Sequence, residues 1–136
     1  MPHPKSRSRC PISFSLDLLG DRWTLLVIRD FVFMGKRHFS EFLGSGEGIA
    51  TNVLTDRLQR LQEAGVIESR RDSEDGRKVI YRLTEMGIDL VPTLLELARW
   101  GATHDPDTGA PKEIVERYKN DRKGLEAEIV ARLRED

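Results

Sequence analysis

Apolar positions recur at helical spacing in some stretches and crowd into short β-type runs in others, and this alternation predicts the order of elements. Leu16, Leu18 and Leu19, followed by Trp23, Leu25, Leu26, Val27, Ile28 and Phe31, predict a short helix and a longer one divided at Gly20, with Asp21 as N-cap of the second. Met34 to Arg37 reads as a loop, Phe39 to Leu43 as a short helix with Ser40 and Glu41 in its first turn, and the Gly-Ser-Gly-Glu-Gly stretch at 44–48 as its stop. From Ala50 to Ala64, Leu54, Leu58 and Leu61 fall at i, i+4 and i+7, with Ala50 one turn earlier on the same stripe. The opposite face carries Asn52, Asp56, Gln59 and Glu63, flanked by Thr51 and Thr55 on one side and Arg60 on the other, and Gly65 closes the helix.

The segments 66–71 and 78–83 have strand composition, and Ser73-Glu74-Asp75-Gly76 supplies the turn of a β-hairpin. Thr84 and Glu85 then cap a helix running through Met86, Leu90, Val91, Leu94, Leu95, Leu97 and Ala98, bent at Pro92. Its apolar arc is wide enough to need a second burial partner, for which an oligomer interface is the cheapest candidate. After a loop at 104–111, a last amphipathic helix places Ile114, Tyr118, Leu125, Ile129 and Leu133 on one face, weakened in its middle by Gly124. The expected organisation is a basic tail at 1–10, a core at 11–101, and a loop with a C-terminal helical extension at 102–136.

Composition narrows the function classes. The 136 residues carry one cysteine and no apolar run near the ~20 residues that span a bilayer, so a stapled secreted fold, a Cys-rich zinc module and a membrane role are not expected. The expected location is cytoplasmic, and nucleoid-associated when bound to DNA. Net charge is only −1, but it is unevenly spread: residues 1–84 carry 14 Lys plus Arg against 11 Asp plus Glu, and residues 85–136 carry 8 against 12. The cations of the first part gather at Lys5, Arg7 and Arg9, at Lys36 and Arg37, and at Arg70, Arg71, Arg77, Lys78 and Arg82. His3, His38 and His104 have no metal-ligand spacing, and Gly44, Gly46 and Gly48 lack the strand and lysine of a phosphate loop. A binding protein without metal or cofactor is therefore expected, rather than an enzyme.

A mainly α chain with a small β-hairpin wing, α+β in class, is the arrangement of a winged helix-turn-helix. An α-helix fits the major groove of duplex DNA, and small polar side chains near its N-terminus reach base edges. Thr51, Asn52, Thr55, Asp56 and Gln59 are the candidate base contacts; Arg37, Ser40, Arg60, Arg77 and Lys78 are the candidate backbone contacts. Asn52 can offer a donor and an acceptor to adenine, whereas Asp56 would accept from cytosine and repel phosphate. Glu74 and Asp75 at the wing tip limit the affinity the wing can supply.

Cys10-Pro11, Gly20-Asp21-Arg22-Trp23, Arg37-His38-Phe39-Ser40-Glu41, the stretch from Gly48 to Leu58, and Tyr81 to Gly87 with Trp100-Gly101 stand in an order and spacing that resembles the HxlR-type winged-helix transcriptional regulators, relatives of the MarR regulators. The resemblance covers roughly residues 10–101. It implies a homodimeric DNA-binding regulator with additional N- and C-terminal dimerisation helices, and a cysteine at the position of Cys10 that several family members use to sense oxidants or electrophiles. Ala50 stands where the family often has Ser, which removes a capping side chain worth ~1 kcal/mol, and the wing lacks the family's proline-containing tip.

Cys10 follows Lys5, Arg7 and Arg9, and neighbouring cations favour the thiolate that oxidants and electrophiles attack; the alternative is a small residue packed against Ile12 or Leu16. Trp23, Phe31 and Trp100 are candidates to line a pocket for a small organic effector, or simply core. The expected partners are thus double-stranded DNA carrying an inverted repeat, a second copy of the chain and, in one reading, a small-molecule effector, with no membrane. The competing function is a winged-helix module for protein contacts, because fold does not dictate function.

Overall fold

The structure is a computed structural model that describes residues 8–135. The chain divides into two compact units, residues 1–87 and 88–136.

In the first unit, α1 (Pro11–Leu19) starts at a proline and stops at Gly20, whose N–H returns to the Leu16 carbonyl at 2.8 Å. A Cβ at Gly20 would lie 2.3 Å from that oxygen, so glycine is required there by close approach. None of α1 is fully buried, and Ile12, Phe14 and Leu16 are exposed. Asp21 caps α2 (Arg22–Met34) as expected, accepting from the N–H groups of Trp23 and Thr24 at 2.9 and 3.1 Å. Gly35, in the left-handed region, ends it.

The short α3 (Phe39–Leu43) is fixed at its start by Glu41, which accepts from the N–H groups of Arg37 and His38 at 3.2 and 3.0 Å. Then α4 (Thr51–Glu63) buries Leu54, Leu58 and Leu61 as a single stripe, with Ala50 at its N-cap making no side-chain bond. The strands β1 (Ile67–Arg71) and β2 (Val79–Leu83) pair antiparallel with Ile67 opposite Leu83 and Arg71 opposite Val79. Val27, Ile28, Phe31, Val32, Phe42, Ile49, Val66, Ile67, Ile80 and Leu83 complete the core of this unit. Phe31 and Phe42 pack with ring centroids 4.6 Å apart, and Tyr81 meets Phe42 edge-on at 6.4 Å.

The expected bent helix over 85–101 is instead two elements. A one-turn α5 (Glu85–Ile88) follows the hairpin, and α6 (Val91–His104) begins anew with Pro92 in its first turn, where the missing N–H costs nothing. The C-terminal helix is also split, into α7 (Lys112–Asn120) and α8 (Arg122–Glu135) around Asp121.

In the second unit α7 and α8 pack on α6 and on each other, burying Tyr118, Leu125, Ile129 and Leu133. They thereby cover part of the wide apolar arc of α6 within the chain, while Leu97 and Trp100 stay exposed at 49% and 60%. Arg122 joins α8 to α6 through Glu96 and the Pro92 carbonyl, and Arg117 of α7 reaches Glu128 of α8 at 2.7 Å. The Arg99 and Arg122 guanidinium groups hold the Glu96 carboxyl at about 2.

Candidate nucleic-acid interface

The polar face of α4 is set by its leucine stripe. Burial of Leu54, Leu58 and Leu61 on one side forces Thr51, Asn52, Thr55, Asp56, Gln59 and Arg60 outward, and all six are exposed. Asp56 lies within ~15° of the direction opposite the stripe, at the centre of the outward face. Thr55 is partly committed, its Oγ1 donating to the Thr51 carbonyl at 2.9 Å, and Gln59 donates to Glu63 at 3.2 Å. Asn52 projects from the first turn, near the positive end of the helix dipole.

Two ion-pair networks orient α4. Glu47, in the glycine-rich turn just before the helix, accepts from Arg29 at 3.0 Å and from Arg22 at 3.4 Å, both on α2. Arg29 also holds Asp30, which is 2% exposed and has Lys36 at 3.6 Å on its other oxygen. Burial alone would lower the Arg29 guanidinium pKa, but the bonds to Glu47 and Asp30 raise it. Gly46 and Gly48 have φ of 86° and 75°, a left-handed backbone that lets the turn bring Glu47 back to α2.

The second network starts at Asp21. Besides its cap bonds it accepts from Thr24 Oγ1 at 2.5 Å and from Arg57 Nε of α4 at 3.0 Å. Burial pushes the Asp21 carboxyl up, but the bonds from Thr24, Arg57 and the Trp23 and Thr24 amides outweigh it and hold the pKa at about 2. Arg57 also donates to Asp56 at 2.5 Å, and Arg60 lies 3.9 Å from the same carboxylate oxygen.

The hairpin carries the remaining cations. Arg77 is 92% exposed on its side chain, with Nε 3.2 Å from Asp75, and Lys78 is exposed beside it. Arg71 donates to the Gly76 carbonyl at 2.7 Å, and Arg82 pairs with Glu68 at 2.6 Å. A histidine ties this hairpin to α3: His38 Nδ1 is 2.9 Å from Glu41 and Nε2 is 3.2 Å from Asp72. Tyr81 N–H also donates to the Arg37 carbonyl at 2.8 Å. Arg37 Nε is buried and has no hydrogen-bond partner among the described residues, and Ser40 is exposed at the start of α3.

The other candidates fall elsewhere. Cys10 is exposed at the N-cap of α1 and Arg9 is exposed beside it, whereas Lys5 and Arg7 lie outside the described residues. Trp23 is half-buried with the Arg22 guanidinium 5.2 Å from its ring centroid. Phe31 is a core residue stacked on Phe42, and Trp100 belongs to the second unit, 5.0 Å from His104. No cluster of metal-ligating side chains occurs among the described residues, and no described helix is long and apolar enough to cross a membrane.

Arg57, Glu47 and Arg29 were not among the residues the sequence singled out. Their partners lie 18 to 36 positions away, beyond any helical or strand period, and only the intermediate placement of Arg57 between the buried and outward faces hinted at a role.

Comparison with known proteins identifies the family of the chain. The HxlR-like helix-turn-helix family model matches residues 18–108. The uncharacterized HTH-type transcriptional regulator Rv3095 of Mycobacterium tuberculosis is 38% identical over 97 residues, covering 71% of this chain and 60% of its own length. The chain thus spans 60% of the length of that mycobacterial relative, less than two thirds. YybR of Bacillus subtilis, also an HTH-type transcriptional regulator, is 28% identical over 85% of this chain and 86% of its own. Among solved structures, PA1607 has a TM-score of 0.70 at 36% identity, covering 78% of this chain and 74% of its own. The redox regulator HypR in its oxidized form gives a TM-score of 0.60 at 32% identity over 70% and 97%, and the reduced transcriptional regulator YodB of B. subtilis gives 0.57 at 30% over 74% and 99%.

Proposed function

The chain belongs to the HxlR-like helix-turn-helix family, and from that premise we propose that it is a dimeric, sequence-specific DNA-binding transcriptional regulator. The observation that carries this is the outward row Thr51, Asn52, Thr55, Asp56 and Gln59 on a helix locked by a buried leucine stripe, next to a hairpin whose tip presents Arg77 and Lys78. Helix α4 enters the major groove with Asn52 reading adenine and the two threonines contacting neighbouring base edges. Arg77 and Lys78, with Arg37, Ser40 and Arg60, contact the backbone and supply salt-dependent affinity without sequence reading.

A second copy covers exposed apolar surface. Ile12, Phe14 and Leu16 on α1, and Leu97 and Trp100 on α6, are exposed and too large to be left in water at no cost. Two copies related by a two-fold axis read an inverted repeat with half-sites ~34 to 36 Å apart. Exposed Cys10 is the element through which an oxidant acts on this assembly. With one cysteine per chain, the product is a sulfenate, a mixed disulfide with a small thiol, or a disulfide between copies.

Selection of bound fragments from random duplex DNA at ~150 mM salt, where non-specific binding is weak, tests the reading. An enriched inverted repeat is expected. Recovery of no enriched sequence under reductant overturns it in favour of a module for protein contacts. Mass spectrometry of the protein after mild oxidant tests Cys10; an unmodified thiol would remove it from the account.

A further inference from the structure

We propose that Asp56 selects a cytosine in each half-site and that Arg57 is the positioning residue that makes this possible; the proposal rests on the DNA-binding reading above. A carboxylate at the centre of a groove-facing helix is a liability, because the duplex surrounds it with phosphates. In this chain the liability is compensated locally. Arg57 donates to Asp56 Oδ2 at 2.5 Å, and Arg60, one turn further along α4, stands 3.9 Å from the same atom.

Arg57 does not act as a loose surface cation. Its side chain is 19% exposed, and its Nε is pinned at 3.0 Å to Asp21 Oδ1. Asp21 is fixed in turn by the Trp23 and Thr24 amides and the Thr24 hydroxyl at the head of α2. The guanidinium therefore spans the Asp21 carboxylate at the head of α2 and that of Asp56 on α4, and leaves Asp56 ion-paired and oriented, with the side chain 54% exposed. Asp56 Oδ1 accepts no hydrogen bond from any described residue and is the oxygen left to meet a base.

An ionised carboxylate can only accept. Guanine and thymine present acceptors in the major groove and repel it. Adenine presents its N6 donor beside the N7 acceptor, so one oxygen gains what the other loses. Cytosine presents N4–H alone, and is the base that an oriented acceptor without a donor prefers. Discrimination of this kind comes as much from repelling the wrong bases as from binding the right one.

The test is random-duplex selection with the full chain as wild type, Asp56→Ala, Asp56→Asn and Arg57→Lys. The wild type is expected to enrich a repeat with cytosine at one position of each half-site. Asp56→Ala should lose that preference by roughly ten- to a hundredfold and keep the rest of the motif. Asp56→Asn, which adds a donor, should shift the position toward adenine. Arg57→Lys keeps the charge but cannot span both carboxylates, so it should blur the same position; a merely structural role for Arg57 would lower affinity for all sequences equally. An unchanged cytosine preference in Asp56→Ala, or a uniform loss across all sequences, overturns the proposal while leaving the regulator reading intact. A wild type that enriches no motif overturns both.

Discussion

Replacing Asp21 by Asn removes one negative charge at the junction of α2 and α4 while leaving a side-chain oxygen able to cap α2. In the folded chain the Asp21 carboxyl is held at about 2 against an ordinary 3.8. At 1.36 kcal/mol per pKa unit, that difference corresponds to at most about 2.5 kcal/mol of stability. The side chain is 28% exposed, so solvent screening trims the figure to about 1 to 2 kcal/mol. Because the folded pKa is depressed, the contribution is complete well above the unfolded value, declines as pH falls through about 4, and is lost only below the folded value of about 2. Urea denaturation of wild type and Asp21→Asn should therefore show a gap of about 1 to 2 kcal/mol at pH 7 that shrinks to roughly a third of that value by about pH 2.5. A double-mutant cycle with Arg57→Met should assign ~1 kcal/mol or more of the gap to the pair. A gap below ~0.5 kcal/mol at pH 7, or one that stays constant down to about pH 3, would refute the assignment of Asp21 as a charged link between the helices.

Four other variants probe the packing and the wing. Phe42→Ala, at a site 1% exposed between Phe31 and Tyr81, should cost about 3 to 5 kcal/mol by urea denaturation. Gly65→Ala should cost about 1 kcal/mol from its φ of 83° alone, since the new Cβ meets only Met86 Sδ at 3.9 Å; Gly87→Ala should cost more, about 1 to 3 kcal/mol, because its Cβ would sit 2.3 Å from the Val66 carbonyl oxygen. Equal losses at the two glycines would show that the backbone near Gly87 yields freely. Replacing Arg77 and Lys78 together by Ala should weaken binding to every duplex and reduce the log–log salt slope by about 1 to 2; a loss confined to one sequence would place them on bases.

The elements whose signals are local were legible in the sequence. Gly20 and Asp21 marked the boundary of α1 and α2 because a helix stop and an N-cap each act within one turn. The leucine stripe of α4 fixed its outward face, since a stripe on a rigid helix leaves only one side for solvent. Pro92 was read as a bend and is the first turn of a new helix; a proline is compatible with either, and the choice depends on whether the preceding turn, 89–90, is helical. Gly124 was read as a weak point in one long helix. A Cβ there would lie 2.4 Å from an Asp121 oxygen, so the glycine makes room for Asp121 at the break between α7 and α8. The wide arc of α6 gave its need for a partner but not the partner's identity, because α7 and α8 satisfy part of it from within the chain. The orientation of Asp56 was hidden for a further reason: it depends on an arginine one residue away and an aspartate 36 residues before that arginine, and no periodicity couples them.

On the proposed reading, the pairing of the cations bears on how a chain of net charge −1 would prefer one DNA sequence. Arg77 with Asp75, Arg82 with Glu68 and Arg60 with Asp56 are exposed pairs of the kind worth ~0 to 1 kcal/mol each. A phosphate can replace the carboxylate at such a site at little cost, so these pairs lower the affinity for arbitrary DNA without blocking contact. The Arg57–Asp21 link is different in kind, because breaking it would strand a capping carboxylate between two helices. It stays closed when the backbone pairs exchange. On the proposed reading, exchangeable pairs at the rim hold non-specific affinity down while the Arg57–Asp21 link keeps the centre of α4 oriented. A charge-balanced interface of this construction gives up bulk attraction and raises the ratio of specific to non-specific binding, the quantity that decides occupancy of one operator among many competing sites.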